Sequence, residues 1–381
     1  MANKARTSLK AYNRILIKIG SRVLRTQNGL NFRVIERLCD DLSLLKDRGK
    51  EFAIVSSGAI AAGSAIMPIP NKFNALSKTQ ALAAIGQGNL IRAYNDAFRR
   101  YGHVAAQVLL TREDLDKRRR YLNIRNTFTA LFEFGAVPVV NENDTVSVDE
   151  IQFTDNDLLS AMIIPAVEAQ VLIVLTDIDG VYPLDPRIKD HGQRISEMVG
   201  LKPKDIKTAS SEAGEVGRGG IKSKLQAAYR ASLLGVPTVI ASAYQPQVVS
   251  SILAGDDVGT IILPGKSRKL TQKDHWISFV SRPKGKLVVD NGAMKMIMHK
   301  GKSLLPCGVV DVEGNFKAGD PITIGDSQGR DIAVGLSNYS SDEVYQIKGA
   351  NTKDLCAILA KECDEEIVHR NNMIVKKETS S

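Results

Sequence analysis

Residues 14–21 read RILIKIGS, a short β-branched apolar run that carries one lysine, Lys18, near its end and stops at Gly20. Five more runs of this texture follow: FAIVSS (52–57), VAAQVLL (104–110), AVPVVN (136–141), VLIVLTD (171–177) and TVIA (238–241). Between them lie longer stretches with helical periodicity, RVIERLCDDLSLLKDRG, ALAAIGQGNLIRAYNDAFRRYG, RNTFTALFEFG and KLQAAYRASLLG, each closed by a glycine. A glycine there suits the left-handed residue at a helix C-terminus. Strand and helix in alternation predict an α/β fold, an open, mainly parallel sheet sandwiched by helices.

The chain has 381 residues, 43% of them hydrophobic, enough for one large domain and a smaller one, each with its own core. No apolar run approaches the roughly 20 residues of a membrane helix. The N-terminus, MANKARTSLKAYNR, is basic but has no apolar stretch of the secretory kind. The expected location is therefore the cytoplasm, with no membrane partner. Cys39, Cys307, Cys356 and Cys363 form no C-x-x-C pair, and the five histidines are dispersed, which argues against a disulfide framework, a zinc site and histidine chemistry.

PGKSRKLTQKDH (264–275) lacks periodicity and reads as a linker. After it, short strands separated by D-N-G, E-G-N, G-D and Q-G-R turn signals describe a second, smaller, mainly β domain. The expected boundaries are a tail at 1–12, a first domain at 13–264, a linker at 265–275, a second domain at 276–367 and a tail at 368–381. Net charge is +9, yet residues 276–381 hold 14 Lys and Arg against 14 Asp and Glu, so the whole excess lies in the N-terminal part. A domain handling polyanionic nucleotides would account for it as well as one binding RNA.

Ligands of open parallel sheets bind beyond the carboxyl ends of the strands. Four loops there are unusual. KIGS (18–21) sets Lys18 beside a glycine that permits close backbone approach. SSGAIAAG (56–63) turns into a helix whose free N–H groups, with Ser57 as cap and donor, would hold a carboxylate or phosphate. NENDTVSVDEIQFTDNDLLSA (141–161) carries Asn141, Asp144, Asn156 and Asp157. These residues are either turns and a helix cap or a pocket able to hold an ammonium group and orient Mg²⁺ waters. LTDIDGVYPLDPR (175–187) brings Thr176 and Asp177 to the crevice lip and continues as a long loop. Further on, GEVGRGGIKSKLQ (214–226) gathers four glycines and two lysines, but Gly220 is followed by Ile221, so the Walker A spacing fails.

Together with LAAIGQ (82–87) and LLTRED (109–114), these motifs, collinear from about residue 13 to 264, resemble the glutamate 5-kinase family of the amino-acid-kinase superfold; the second domain resembles a PUA domain. The resemblance implies ATP and Mg²⁺ as cofactors, L-glutamate as substrate, formation of L-glutamyl 5-phosphate as the first step of proline biosynthesis, a homo-oligomer (dimer or tetramer), and proline as a feedback inhibitor. It implies that Lys18 contacts the transferred phosphoryl group, that Lys224 binds ATP phosphates from the opposite side, and that Asp157 organises the lysines or the metal. Ser57, Asp144 and Asn156, with Gly58 and Asn141 in the same motifs, fall on the substrate side. Thr176, Asp177 and the run Arg218, Gly219, Gly220, Ile221, Lys222, Ser223 and Lys224 fall on the nucleotide side. Arg22 and Arg218 stand where the family often has small residues. The alternatives are another carboxylate substrate, or RNA binding through the PUA-like domain, which its zero net charge disfavours.

Overall fold

The computed structural model describes residues 4–27, 29–67, 76–147, 156–184, 192–206, 220–265, 269–280, 282–361 and 363–376. They form two compact units, Met1–Lys269 and Leu270–Ser381. In the first, the strands in chain order are β1 (Arg14–Ile19), a small ribbon of β2 (Arg25–Thr26) and β3 (Gly29–Leu30), β4 (Glu51–Ser56), β5 (Ala105–Leu110), β6 (Val137–Glu142), β7 (Val171–Thr176), β8 (Glu197–Val199), β9 (Thr238–Ser242) and β10 (Thr260–Leu263). Eight of them make one sheet in the order β5-β6-β4-β1-β7-β9-β10-β8. All neighbours are parallel except β9 and β10, which run antiparallel. Each of the six expected strands is present to within a residue at each end, while β8 (EMV) and β10 (TIIL) are additional to them.

β1 lies at the centre of this sheet, with β4 on one side and β7 on the other, so the chain leaves it in opposite directions. That is where a crevice opens at the strands' carboxyl ends. Strand periodicity sends Ile15, Ile17 and Ile19 into the apolar layer on one face and Lys18 to the other. The four helical stretches expected from the sequence lie within the observed helices Phe32–Lys46, Leu76–Arg99, Arg118–Glu133 and Ile221–Leu233 and the turns after them, and the glycines that follow, Gly49, Gly102, Gly135 and Gly235, all have positive φ. Among the described residues no helix is long and apolar enough to cross a membrane.

The second unit holds β11 (Gly285–Val289), β12 (Val309–Gly314), β13 (Pro321–Asp326), β14 (Asp331–Leu336) and β15 (Met373–Val375) in the order β12-β11-β13-β14-β15. Leu287, Ile297, Phe316, Ile322, Ile324 and Tyr339 lie in its core. One expectation differs from what is found. D-N-G at 290–292 is a helix start: Asp290 accepts from the Ala293 N–H at 2.7 Å and caps Asn291–Lys300, whose apolar residues continue the pattern. Within the expected linker, Thr271 and Asp274 form a reciprocal capping box over Gln272–His275, and His275 is buried.

Candidate active site

Lys18 is 2% exposed and Asp157, in the first turn of the helix Asn156–Val167, is 0% exposed; their charged groups are in direct contact. Lys224 arrives from the opposite side, in the first turn of the helix Ile221–Leu233, with Nζ donating to Asp157 Oδ2 and to the Gly220 carbonyl, both at 3.1 Å. Ser223 Oγ donates to the same carboxylate oxygen at 3.2 Å. Thus two lysines more than 200 residues apart meet on one carboxylate. The three side chains carry one net positive charge in a buried place. Each ammonium–carboxylate contact offsets part of the cost of burying these charges.

Lys222 projects into solvent, two positions before the buried Lys224. Helical spacing explains the split, since residues two apart point to different faces. Ile221 and Gly220 are half-buried at the helix start, and Gly220 is its N-cap, so no side chain caps the first N–H groups. The first turn itself has no acidic residue, and the carboxylate beside it is that of Asp157, on Ser223 and Lys224. Arg218 and Gly219 lie outside the described residues.

A second cluster adjoins the first through the peptide between Asn156 and Asp157. Asn156 Nδ2 donates to Ser57 Oγ at 2.9 Å, to Asn141 Oδ1 at 3.1 Å and to the Ser56 carbonyl at 3.2 Å. Asn141 Nδ2 in turn donates to Gln87 Oε1 at 2.9 Å. The expectation that Ser57 caps the following helix is corrected. The N-cap of Ala59–Ile66 is Gly58, at φ +110°, and Ser57 is engaged with Asn156 instead. A left-handed N-cap is open to glycine and strained for serine.

Asp144 sits half-buried in the turn after β6 and makes no hydrogen bond or ion pair with another described residue. Burial pushes its carboxyl above the usual carboxylate range. Thr176 ends β7, and its hydroxyl donates to Asp177 Oδ1 at 2.9 Å; the Gly20 N–H donates to the Leu175 carbonyl at 3.0 Å. Arg22, the replacement for a small residue, lies 3.8 Å from Asp177 as an exposed pair. Its worth in stability is small.

The LAAIGQ motif has two physical reasons. A Cβ on Gly86 would sit 1.9 Å from the Ala59 carbonyl oxygen, and one on Gly63 would sit 1.9 Å from that of Leu82. The helices Ala59–Ile66 and Leu76–Arg99 therefore touch backbone to backbone, and the next residue, Gln87, reaches Asn141. Gln87 was not singled out as a site residue from the sequence. Its signal lies in its place beside a packing glycine, which is legible only once the partner helix is known.

Residues 13–242 match the amino acid kinase family and residues 285–359 the PUA domain. Over 370 residues the chain is 44% identical to the glutamate 5-kinase of Syntrophotalea carbinolica, an alignment spanning 97% of this chain and 99% of that one. It is 44% identical over 368 residues to the glutamate 5-kinase of Geobacter metallireducens, covering 96% and 98%. To that of a Thermoanaerobacter species it is 43% identical over 363 residues, covering 95% and 97%. With Lys18 and Lys224 meeting on Asp157 at the carboxyl end of β1 and identity that runs through both units, the chain belongs to the amino acid kinase family, in its glutamate 5-kinase branch, and carries a PUA domain C-terminal to the kinase domain in sequence.

Proposed function

We propose that the chain transfers the γ-phosphoryl group of ATP to the γ-carboxylate of L-glutamate, giving L-glutamyl 5-phosphate and ADP, the first step of proline biosynthesis. The observation that carries this reading is the buried trio of Lys18, Asp157 and Lys224, positively charged overall, next to a pocket of amide and hydroxyl groups. The new bond joins a carboxylate oxygen to phosphorus as the bond from phosphorus to the β-phosphate oxygen breaks. Two anions must be brought together, so the barrier is largely electrostatic. Glutamate's side chain, with a reference pKa of about 4.3, is already ionised at neutral pH and needs no general base.

In this scheme Lys18 and Lys224 flank the transferred group, and Asp157 holds both ammonium groups at a fixed separation before substrate arrives. Preorganised charge of this kind costs no rearrangement at the moment of transfer. Thr176, Asp177 and the run from Arg218 to Lys224 form the nucleotide side, with the uncapped start of Ile221–Leu233 turned to phosphate. Ser57, Gly58, Asn141, Asp144 and Asn156 form the glutamate side, where Asp144 answers the free α-ammonium group.

Among the described residues no group of three or more His, Cys, Asp and Glu side chains could hold a metal. Mg²⁺ commonly takes its ligands from substrate phosphates, water and one or two carboxylates. Such an ion would arrive with the nucleotide and would supply charge neutralisation on its phosphates.

The test is an incubation of the protein with ATP, Mg²⁺, glutamate and hydroxylamine, watching for the hydroxamate that traps an acyl phosphate. Aspartate and N-acetylglutamate run in parallel. Glutamate should give the largest kcat/KM; a better rival would overturn the substrate, and no product from any of them would overturn the reaction.

A further inference from the structure

We infer that Gln87 is a positioning residue of the acceptor pocket, fixing the amides of Asn141 and Asn156 in the one orientation that suits a zwitterionic amino acid. The inference rests on the glutamate reading above. Its basis is the direction of a hydrogen-bond chain that no single motif contains.

The chain is fixed at its inner end by a group that can only accept. The Ser56 carbonyl takes a hydrogen bond from Asn156 at 3.2 Å, so this side of the Asn156 amide must be Nδ2. Asn141, 3.1 Å from the same nitrogen, must then present Oδ1. Its own Nδ2 is thereby turned away, toward Gln87, which completes the chain with Oε1 at 2.9 Å. An asparagine amide is nearly the same shape after a half-turn that exchanges its nitrogen and oxygen. Asn141 is held against that half-turn at both ends, by the Asn156 donor on its oxygen and by the acceptor at Gln87 on its nitrogen.

Two consequences reach the pocket. Asn156, with its nitrogen committed inward, keeps Oδ1 for a donor such as an ammonium group. Ser57, whose Oγ accepts from Asn156 at 2.9 Å, keeps its own proton to donate to a carboxylate. An acceptor beside a donor matches a free amino acid. If the Asn141 amide turned over, its Nδ2 would meet that of Asn156, donor against donor, and the pattern offered to substrate would be lost.

Gln87 is well placed to act as a fixed reference. Its neighbour Gly86 lies so close to the Ala59 carbonyl that a Cβ would stand 1.9 Å from it, and the helix Leu76–Arg99 cannot slide there without a backbone clash. The side chain of Gln87 thus starts from a point set by packing and ends on Asn141.

The experiment compares Gln87→Glu, Gln87→Met and Gln87→Lys with wild type in the hydroxamate assay, titrating glutamate and ATP separately and recording Tm. Glutamate keeps an acceptor, methionine has none of useful strength, and lysine offers only donors. The expected result is a glutamate KM within about 3-fold of wild type for Gln87→Glu and raised about 10-fold or more for Gln87→Met and Gln87→Lys. ATP KM should stay within about 2-fold, and Tm should be alike in the three variants. Should the methionine variant fail to fold, the glutamate and lysine variants, similar in bulk, carry the same contrast. Equal effects in all three, or ATP KM and Tm moving in step with glutamate KM, would overturn the positioning role alone. A wild type that makes no hydroxamate from glutamate would overturn the glutamate reading and this inference with it.

Discussion

Lys224 and Lys222 are chemically identical and two residues apart, yet one is buried on Asp157 and the other exposed. Lys224→Ala and Lys18→Ala are expected to lower kcat by about 100-fold or more, with glutamate KM changed little, because each removes charge from the transition state. Lys222→Ala should leave kcat within about 3-fold of wild type and raise ATP KM, and steady-state kinetics on the three variants checks the contrast. Asp144 makes a pH-dependent prediction. Its carboxyl is raised by burial, so in the free enzyme it takes up a proton above the ordinary carboxylate range and then loses its attraction for an ammonium group. Glutamate KM should rise as pH falls through that raised value, and the limb should vanish in Asp144→Asn. For stability the sign is opposite to that of a salt-bridged acid. A carboxyl with a raised folded-state pKa contributes most below its unfolded pKa and loses that contribution as pH rises through the folded one. At neutral pH Asp144→Asn should therefore leave Tm unchanged or higher while it raises glutamate KM. A lower Tm would show that the charged form stabilises the fold.

At the scale of elements, the pocket is carried by close contacts between helices. Gly86→Ala drives a methyl into the Ala59 carbonyl, and overpacking of this kind costs typically 1–3 kcal/mol, more where backbone must move. Because Ala59 follows the Ser57–Gly58 turn, glutamate KM should rise together with the loss of stability, read from a denaturation curve and from kinetics on the same sample. Thr111→Ala makes the comparison. Thr111 and Asp114 form a capping box at the start of Arg112–Asp116, so its loss should cost about 1 kcal/mol with both KM values retained. The helices themselves were legible from apolar spacing and their closing glycines. The reason for Gly63 and Gly86 was not, since a glycine inside a helical pattern looks the same whether it faces water or a second backbone.

At the scale of the whole molecule, the two units have separate cores, and the sole tryptophan, Trp276, belongs to the second unit and is buried. Its fluorescence therefore reports unfolding of Leu270–Ser381, whereas loss of kinase activity reports the first unit. A non-hydrolysable ATP analogue with Mg²⁺ should raise the midpoint for activity loss and leave the Trp276 midpoint in place, as expected when a ligand binds one of two independent cooperative units. A common shift would mean that they unfold as one. By itself, the sequence determined the α/β layering, the six main strands and the change of texture near residue 270, because strand and helix periods are local properties of the chain. Only the tertiary structure decided that β10 runs antiparallel to β9, that Lys18 and Lys224 meet on Asp157, and that Ser57 serves Asn156 instead of capping its own helix. Each of those outcomes joins residues distant in the chain. Their cause is the cost of burying a charge or amide without a partner, which is felt only after the sheet has brought the strand ends together.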